Sequence, residues 1–533
     1  MLRSFSKDTE RWSDSALRAR KDMMALDRDY PIYHLAPVEG WINDPNGFVY
    51  DISTGMYHRF YQYDKTWSED CMHGNVKNCS GISADGGNRN ARTWGHTVSK
   101  NLAGPWSEWP GIDSDSPFDR LAVWSGNCVL RNQGKDGVVC IYSGGRDKAC
   151  DTAVCAQSSD WIHWNKTGCM TKAPSVASQT NHDSSIFQLE PNGTYYLLSG
   201  GCTYGNNGSN TDDGRGCKGN AQLWSSDDLE TWTYTKALTS GGPGAYWELP
   251  YLLPFLSNGT ALPNDRVGDA SVLALLFGLG NAAEIGQFDE ESLEFQHQGT
   301  VLGIEGAEYY SFNPHATDDR GGTTRRLMFG WIEGKTSEAV NGKRCPYWQS
   351  LHSIARTVRV MNRKVLQFPV EEMSDLHVTD DPFVEYHGVR VNSSEGVVLW
   401  KNGTDSMHVQ VMFSTHRDNT VTSIGVRLRV LGNFSCDAAY NISDGRVKAG
   451  DTKGPAVPIP QQNTIELDVF LDRSVIEVYV GGGAVSGRCL LPPDLAKSVN
   501  SNSTLFTAEA FVIGGAATLD SLVSYEMGTM WSG

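Results

Sequence analysis

An all-β fold, a five-bladed β-propeller followed by a C-terminal β-sandwich, is what this sequence predicts, on three observations. A phrase of Ser, a polar residue and often Asp/Asn-Leu, closed by an aromatic, recurs as SKNLAGPW (Ser99 to Trp106), SSDWIHW (Ser158 to Trp164), SSDDLETW (Ser225 to Trp232) and, degenerate, FDEESLEF (Phe288 to Phe295). The copies are about sixty residues apart, with short alternating segments such as GTYYLLSG (Gly193 to Gly200) and TRRLMFGWI (Thr324 to Ile332) between them, room for about four strands per unit. After LQFPVEEM (Leu366 to Met373) the repeat stops. GVVLW, MHVQVMF, SIGVRLRV, TIELDVFLDRSVIEVYV and SYEM then follow as evenly spaced strands, the pattern of a sandwich.

The elements follow in chain order. Residues 1–30 are a charged extension, expected as a short surface helix that buries Trp12, Leu17, Met23 and Leu26. They hold no apolar run of the secretory kind, so a signal is expected to be absent or already removed. Residues 31–366 are the propeller: four copies of the phrase plus a unit ending near Val360 make five blades, and most of the sixteen tryptophans are expected in blade cores. Residues 367–384 form a linker. Residues 385–533 form the sandwich, expected to support the propeller rather than to bind carbohydrate independently.

Composition narrows the function. A formal charge of −17 disfavours nucleic acid and anionic membranes as partners, leaving a neutral one. The longest apolar run, Ser271 to Gly280, is too short to span a bilayer. Sequons at Asn78, Asn165, Asn192, Asn207, Asn258, Asn392, Asn402, Asn433, Asn441 and Asn502 point to a glycosylated, secreted protein. The twelve cysteines lack the paired spacing of a zinc site, so disulfides are expected, with Cys202 paired to Cys217 and Cys436 to Cys489. No metal or organic cofactor is expected. His96 reads as a structural hydrogen-bonder, and Gly86-Gly87 lacks the strand-helix context of a phosphate loop.

WINDPNG (Trp41 to Gly47) reads as a turn, because Pro fixes φ and Asx side chains cap their own backbone. Its aspartate invites a second reading. The first strands of propeller blades converge on the axis, so acidic residues that open successive units face one another: Asp44, Asp183 in NHDSSIF, and Glu248 in WELPYLLPF. Tyr246, Trp247, Leu249 and Pro250 are expected to desolvate Glu248 and raise its pKa, as a general acid requires. Amide donors around Asp44 are expected to keep it ionised, as a nucleophile requires. Two carboxylates pushed in opposite directions are the sign of glycoside hydrolysis.

YHLAPVEGWINDPNG (Tyr33 to Gly47), YHRFYQYD (Tyr57 to Asp64), TWGHTVSKNLAGPW (Thr93 to Trp106), WSGN (Trp124 to Asn127), NHDSSIF, WELPYLLPF and LDRSVIEVYV (Leu471 to Val480) occur in this order. Together they resemble the invertase, inulinase and fructosyltransferase family of β-fructofuranosidases over nearly the whole chain after residue 30. The resemblance implies the same two-domain fold. It also implies Asp44 as nucleophile at the anomeric carbon of a β-linked fructosyl unit, Glu248 as acid/base, and Asp183 as the stabiliser of the transition state. Asn43 and Gln62 match residues that bind the fructosyl unit or the nucleophile, Trp124 and Ser125 match the aromatic-Ser pair lining the pocket, and Trp67 and Trp331 match aromatic walls more loosely. Substrates would be sucrose, fructo-oligosaccharides or fructans. Net retention would require the carboxyl groups to lie about 5 to 5.5 Å apart.

Two positions depart from the family pattern. His182 precedes Asp183 where Arg is usual, replacing a permanently charged donor fork with a pH-dependent one. Leu249 follows Glu248 where Cys is usual. Hydrolysis is favoured by the intact Asn43-Asp44-Pro45. Fructosyl transfer to a second sugar uses the same three carboxylates and remains an alternative, as does a sugar-binding homologue that has lost catalysis, against which the three carboxylates weigh.

Overall fold

The computed structural model describes residues 7–65, 92–145, 152–169, 182–204, 217–238, 247–277, 282–306, 309–333, 348–393, 396–398, 404–415, 420–430, 435–457, 464–489 and 506–531. The fold is all-β, as expected, apart from one long helix and short 3₁₀ turns among the described residues. No described helix is long and apolar enough to cross a membrane.

The helix, α1 (Lys7–Leu26), does not bury the face expected of it. Trp12 is 44% exposed and Leu26 is 81% exposed, while Leu17, Met23 and Met24 are partly buried. The centre of the contact is instead the buried Arg20, which stacks 3.7 Å over Trp531 and pairs with Glu108. A cation that satisfies several acceptors at once docks the helix where an apolar stripe was anticipated.

Five blades follow. The first holds β1 (Gly40–Asp51), β2 (Met56–Asp64), β3 (Arg92–Ser99) and β4 (Ser107–Ile112); the second holds β5 (Ala122–Leu130), β6 (Val138–Gly145), β7 (Thr152–Ser158) and β8 (Asn165–Gly168). The third is β9 (His182–Gln188), β10 (Tyr195–Tyr204), β11 (Cys217–Ser226) and β12 (Thr233–Ala237). The fourth is β13 (Tyr251–Phe255), β14 (Val272–Phe277), β15 (Ala282–Asp289) and β16 (Glu294–Leu302). The fifth comprises β17 (Tyr309–Asn313), β18 (Thr317–Arg320), β19 (Thr323–Ile332), β20 (Trp348–Gln349), β21 (Leu351–His352), β22 (Arg356–Met361) and β23 (Lys364–Pro369).

The innermost strands β1 and β13 are buried almost throughout, whereas of the outermost strands β8 and β16 are largely exposed and β12 is half-buried. Around the axis β1 packs beside β5, β5 beside β9, β9 beside β13, and β17 beside β1. The ring closes where Gly40 and Trp41 pair in parallel with Trp348 and Gln349 of β20.

The repeated phrase is the connection between the third and fourth strands of a blade. In the second blade Ser158 Oγ accepts the Trp161 amide at 2.8 Å, and Asp160 Oδ1 accepts those of Ile162 and His163. Ser226 and Asp228 repeat this in the third blade, and Trp161 and Leu229 both adopt positive φ. Of the closing aromatics, Trp106 and Trp232 are fully buried and Trp164 is partly buried. The fifth blade lacks the phrase because Asn362 and Arg363, both at positive φ, join β22 to β23 as a two-residue hairpin.

WINDPNG is not a turn. It lies inside β1, with register shifts against β2 between Ile42 and Pro45 and between Asn46 and Val49. Pro45 cannot donate to the ladder, and Gly47 has φ +48° with a would-be Cβ only 2.6 Å from Cys128 Sγ. The turn-forming residues therefore act as bulge-formers that re-aim side chains within a strand.

The sandwich comprises two six-stranded sheets, one built on Ser406–Ser414 and Val475–Val480 and the other on Ser423–Val430 and Ser435–Asn441. Val409, Leu467, Ile476, Val426, Val512 and Leu519 are among its buried core. LDRSVIEVYV joins the domains: Asp472 accepts the backbone amides of Ile32, Tyr33 and His34, and Glu477 receives His34, Ile354 and Arg356. The Cys436–Cys489 disulfide is formed, together with Cys128–Cys140 and Cys155–Cys169, which spacing had left unassigned. The side chains of Cys202 and Cys217 lie outside the described residues. His96 is structural, hydrogen-bonded to His58 at 3.1 Å and to Pro110 O at 3.2 Å.

Candidate active site

The site is assembled mainly from strands that open successive blades, with contributions from their neighbours. Asp44 and Asn43 lie on β1, Gln62 on β2, Trp124 and Ser125 on β5, Glu248 just before β13, Tyr310 and Ser311 on β17, and Trp331 on β19. The backbone of His182 and Asp183 opens β9, beside β5 and β13. Their side chains, and all of Trp67, lie outside the described residues.

Asp44 is the buried hub. Ser125 Oγ and Gln62 Nε2 both donate to its Oδ2, the latter at 3.3 Å, and Gln62 also donates to Ser125 Oγ. Asn43 Nδ2 in turn donates to Gln62 Oε1 at 3.0 Å. The donors thus run in one direction, from Asn43 through Gln62 and Ser125 to the carboxylate. The Asn43 carbonyl is fixed from behind by His352 at 2.6 Å, and Asn46 Nδ2 holds the Asp44 carbonyl at 3.1 Å while its Oδ1 accepts the Gly126 amide. Asn43 Oδ1 is buried and has no hydrogen-bond partner among the described residues.

The electrostatics reverse one expectation. Burial pushes the Asp44 carboxyl up to about 6; the Ser125 hydroxyl pulls it down, the charge of Glu248 pushes it up, and Ser311 and Arg92 pull it down. The amide donors were expected to dominate, but β1 is enclosed on both faces, and desolvation outweighs them. Glu248 is only partly buried, since Trp247 and Leu249 point away into the core, where Trp247 stacks 4.3 Å from Phe277. Leu249 has φ +51°, sparsely populated for a non-glycine residue, and so turns Glu248 out of the apolar stretch that was expected to enclose it.

Tyr310 was not singled out by the sequence, and it donates its hydroxyl to Glu248 Oε2 at 2.6 Å. Its ring meets Trp331 edge-on at 5.7 Å, and Trp331 meets Trp41 at 5.8 Å. Arg92 continues the rim, 4.7 Å over Trp41 and 4.4 Å over Trp124. EYYSFNP could have revealed Tyr310 by the rule that found the carboxylates, since it opens a blade. Arg92 was hidden at the end of a Cys-containing stretch, Asp70 to Arg92, that is an insertion relative to the family pattern and disturbs the spacing around Trp67. Among the described residues no group of three or more His, Cys, Asp or Glu could hold a metal ion.

Such a site can attack an electrophilic carbon with one carboxylate while the other moves a proton. The "Glycosyl hydrolases family 32 N-terminal domain" matches residues 34–369, and "Glycosyl hydrolases family 32 C terminal" matches residues 387–525. Levanase of Bacillus subtilis is 23% identical, covering 96% of this chain and 72% of its own. Sucrose-6-phosphate hydrolase of Zymomonas mobilis is 22% identical, covering 95% and 94%. In structure the chain is similar to a variant of fructan 1-exohydrolase IIa from Cichorium intybus in complex with 1-kestose, with a TM-score of 0.71 and 19% identity over 95% of this chain and 98% of that one.

Proposed function

The chain belongs to the glycosyl hydrolases of family 32, and on that premise we propose that it is a retaining β-fructofuranosidase acting on sucrose and fructans. The observation that carries this reading is the buried Asp44 carboxylate, oriented by Ser125 and Gln62, with the charge of Glu248 near enough to act on it. Relatives named for action on levan, fructan and sucrose 6-phosphate support the substrate class.

In this mechanism an Asp44 carboxylate oxygen attacks C2 of the fructosyl unit. The bond from C2 to the departing sugar oxygen breaks as Glu248 gives that oxygen its proton. A covalent fructosyl-enzyme results. Glu248, now ionised, takes a proton from water, whose oxygen attacks C2 and releases Asp44, and two inversions give net retention. Asp183 stabilises the oxocarbenium-like transition state through the fructose hydroxyls, His182 hydrogen-bonds beside it, and Asn43 Oδ1 accepts from the bound sugar. Trp124 and Trp331 wall the pocket, and the family resemblance alone assigns the same role to Trp67. The chemistry needs only carboxylates, without metal or organic cofactor.

The proposed organisation is an extension to residue 30, a catalytic propeller over 31–366, a linker over 367–384, and a supporting sandwich from 385. Asn165, Asn192 and Asn258 are exposed acceptor sites, in keeping with a glycosylated, secreted enzyme.

Product analysis after incubation with concentrated sucrose, with Asp44→Ala as control, tests the reading. Equal glucose and fructose, lost in the variant, is the expected result. Excess glucose with a trisaccharide would make the protein a fructosyltransferase. Inactivity on sucrose and fructans alike would leave a sugar-binding protein.

A further inference from the structure

Four arginines are fully buried among the described residues, and three of them are satisfied within the protein. Arg20 pairs with Glu108, and Arg356 pairs with Glu305 and Glu477. Arg326 forms no ion pair among the described residues, but its Nη1 and Nη2 donate to Asn264 Oδ1 and to the backbone carbonyls of Leu262, Pro314 and His315. Arg59, on β2, is the exception. Of its five N–H donors, Nε alone meets an acceptor among the described residues, Thr97 Oγ1 at 3.3 Å, and Nη2 is buried without one. The guanidinium stands over the rings of Phe329 and Trp106, 4.3 and 4.5 Å from their centroids, which offers it π-electrons but no countercharge. Burial pushes it down to about 9, which still leaves it a cation at neutral pH.

Beside Arg59 lies a cavity of about 10 Å³, whose walls include Trp106, Phe329, Ser353, Met373 and Met530. Arg59 is the one charged residue in that lining. Blade one, blade five, the 3₁₀ turn Glu371–Leu376 and the segment beyond the last strand of the sandwich all meet there. The volume corresponds to about one sphere the size of a water molecule. Sulfate, phosphate and organic acids are too large for it. A water molecule would fit and accept a hydrogen bond, but it would leave the charge unbalanced, and a buried cation without a counter-ion is costly.

We infer that this cavity is a binding site for one monatomic anion, chloride in a physiological medium, held by the Arg59 guanidinium and enclosed by the apolar walls of the seam. The ion does for Arg59 what Glu108 does for Arg20, and what Glu305 and Glu477 do for Arg356. Because propeller, linker and sandwich all contribute to the walls, the ion binds the folded chain and not the unfolded one, and stabilises it by mass action. The inference does not depend on which sugar the active site accepts.

The test begins with thermal melting of the full chain, dialysed free of halide into sodium gluconate and then titrated with chloride at constant ionic strength, so that general screening does not change. A chain of net charge −17 gathers few anions at its surface, so a response to chloride reports a defined site. The melting temperature is expected to rise by about 2 to 5 °C along a saturating curve. Arg59→Met keeps an unbranched apolar side chain beside the rings and removes the charge, so its melting temperature should not respond. Crystals of wild-type protein grown in bromide give a second reading that needs no variant, and decide the matter if Arg59→Met does not fold. An anomalous-difference peak within hydrogen-bonding distance of an Arg59 Nη atom is the expected result. Crystals without that peak would overturn the inference and leave a water molecule in the cavity. No chloride response in wild type would overturn it as well, and an equal response in Arg59→Met would do so by placing the ion elsewhere.

Discussion

Ser125, on the first strand of the second blade, donates its hydroxyl proton to Oδ2 of Asp44, on the first strand of the first. The bond crosses the seam between blades, so the orientation of the carboxylate depends on how two sheets pack and not on the loop chemistry of one. It also opposes the burial that drives Asp44 toward protonation. Ser125→Ala is expected to move the acid limb of kcat/KM upward from near pH 6 and to lower kcat/KM at pH 6 about 10- to 100-fold, the worth of a hydrogen bond to a charged group. A pH-rate profile measures both. An acid limb that stays in place would show that Ser125 does not act on this carboxylate.

Asp44 carries a conflict between stability and activity. Its pKa is about 6 in the folded chain against 3.8 for an ordinary aspartate, so the folded state holds the proton more tightly. Stability therefore falls as pH rises through that window, and the full penalty is present above pH 6. Asp44→Asn removes the charge, and should stabilise the protein by about 2 to 3 kcal/mol at pH 7.5 and by little at pH 3.5. Chemical denaturation at the two pH values gives the difference directly. Equal effects at both would mean that burial does not set the titration.

The same conflict marks what could be read in the sequence. Asp44 and Glu248 could be singled out because each lies in or beside a blade-opening strand, whereas Gln62 and Ser125 came only from the family resemblance; the turn chemistry of Ser158-Asp160 and Ser226-Asp228 made the blades countable. The direction of the Asp44 shift was not legible. Amide neighbours along the chain suggested an ionised group, whereas enclosure by strands far away in sequence decides the direction. The burial of Glu248 was misjudged for a different reason: its apolar neighbours were visible, but not the positive φ at Leu249 that turns it away from them. Arg20 was hidden for a related reason, since a charged residue on a charged helix gives no sign that Trp531 and Glu108, encoded far away, will bury it.

Tyr310 offers a cleaner test of the proposed acid/base. Its 2.6 Å bond to Glu248 Oε2 fixes one carboxylate oxygen and leaves the other to meet the leaving group. Tyr310→Phe retains the edge-on packing against Trp331 and loses only the hydroxyl. We expect kcat to fall about 10-fold with KM little changed, and the loss to be larger for substrates whose leaving group needs full protonation. Comparing an activated aryl fructoside with sucrose separates the cases. An equal loss on both substrates would place the effect of Tyr310 outside proton transfer.

The joint between the domains should govern stability at both ends of the pH scale. Glu477 is fully buried and receives Arg356, His34, Tyr479 and the Ile354 amide, while Arg356 is held on its other side by Glu305. Burial alone would raise the Glu477 carboxyl, but the Arg356 charge and the His34 bond hold it down at about 2. Burial alone would likewise lower His34, but its bonds to Asp472 and Glu477 raise it above 6.5. The signs then differ. The Glu477 contribution is present above pH 4.5 and is lost as pH falls toward 2; the His34 contribution is present below pH 6.5 and is lost as pH rises through its elevated folded value. The joint is therefore strongest between about pH 4.5 and 6.5. Glu477→Gln leaves Arg356 and His34 short of a buried partner, and should cost about 3 to 5 kcal/mol in that window. Because Asp472 and Glu477 also fix residues 32–34, which lead into β1, the loss should split one unfolding transition into two, with the propeller melting first. Calorimetry at pH 5.5 distinguishes the outcomes: a single transition displaced downward would mean that the apolar contacts between the domains suffice to couple them without this carboxylate.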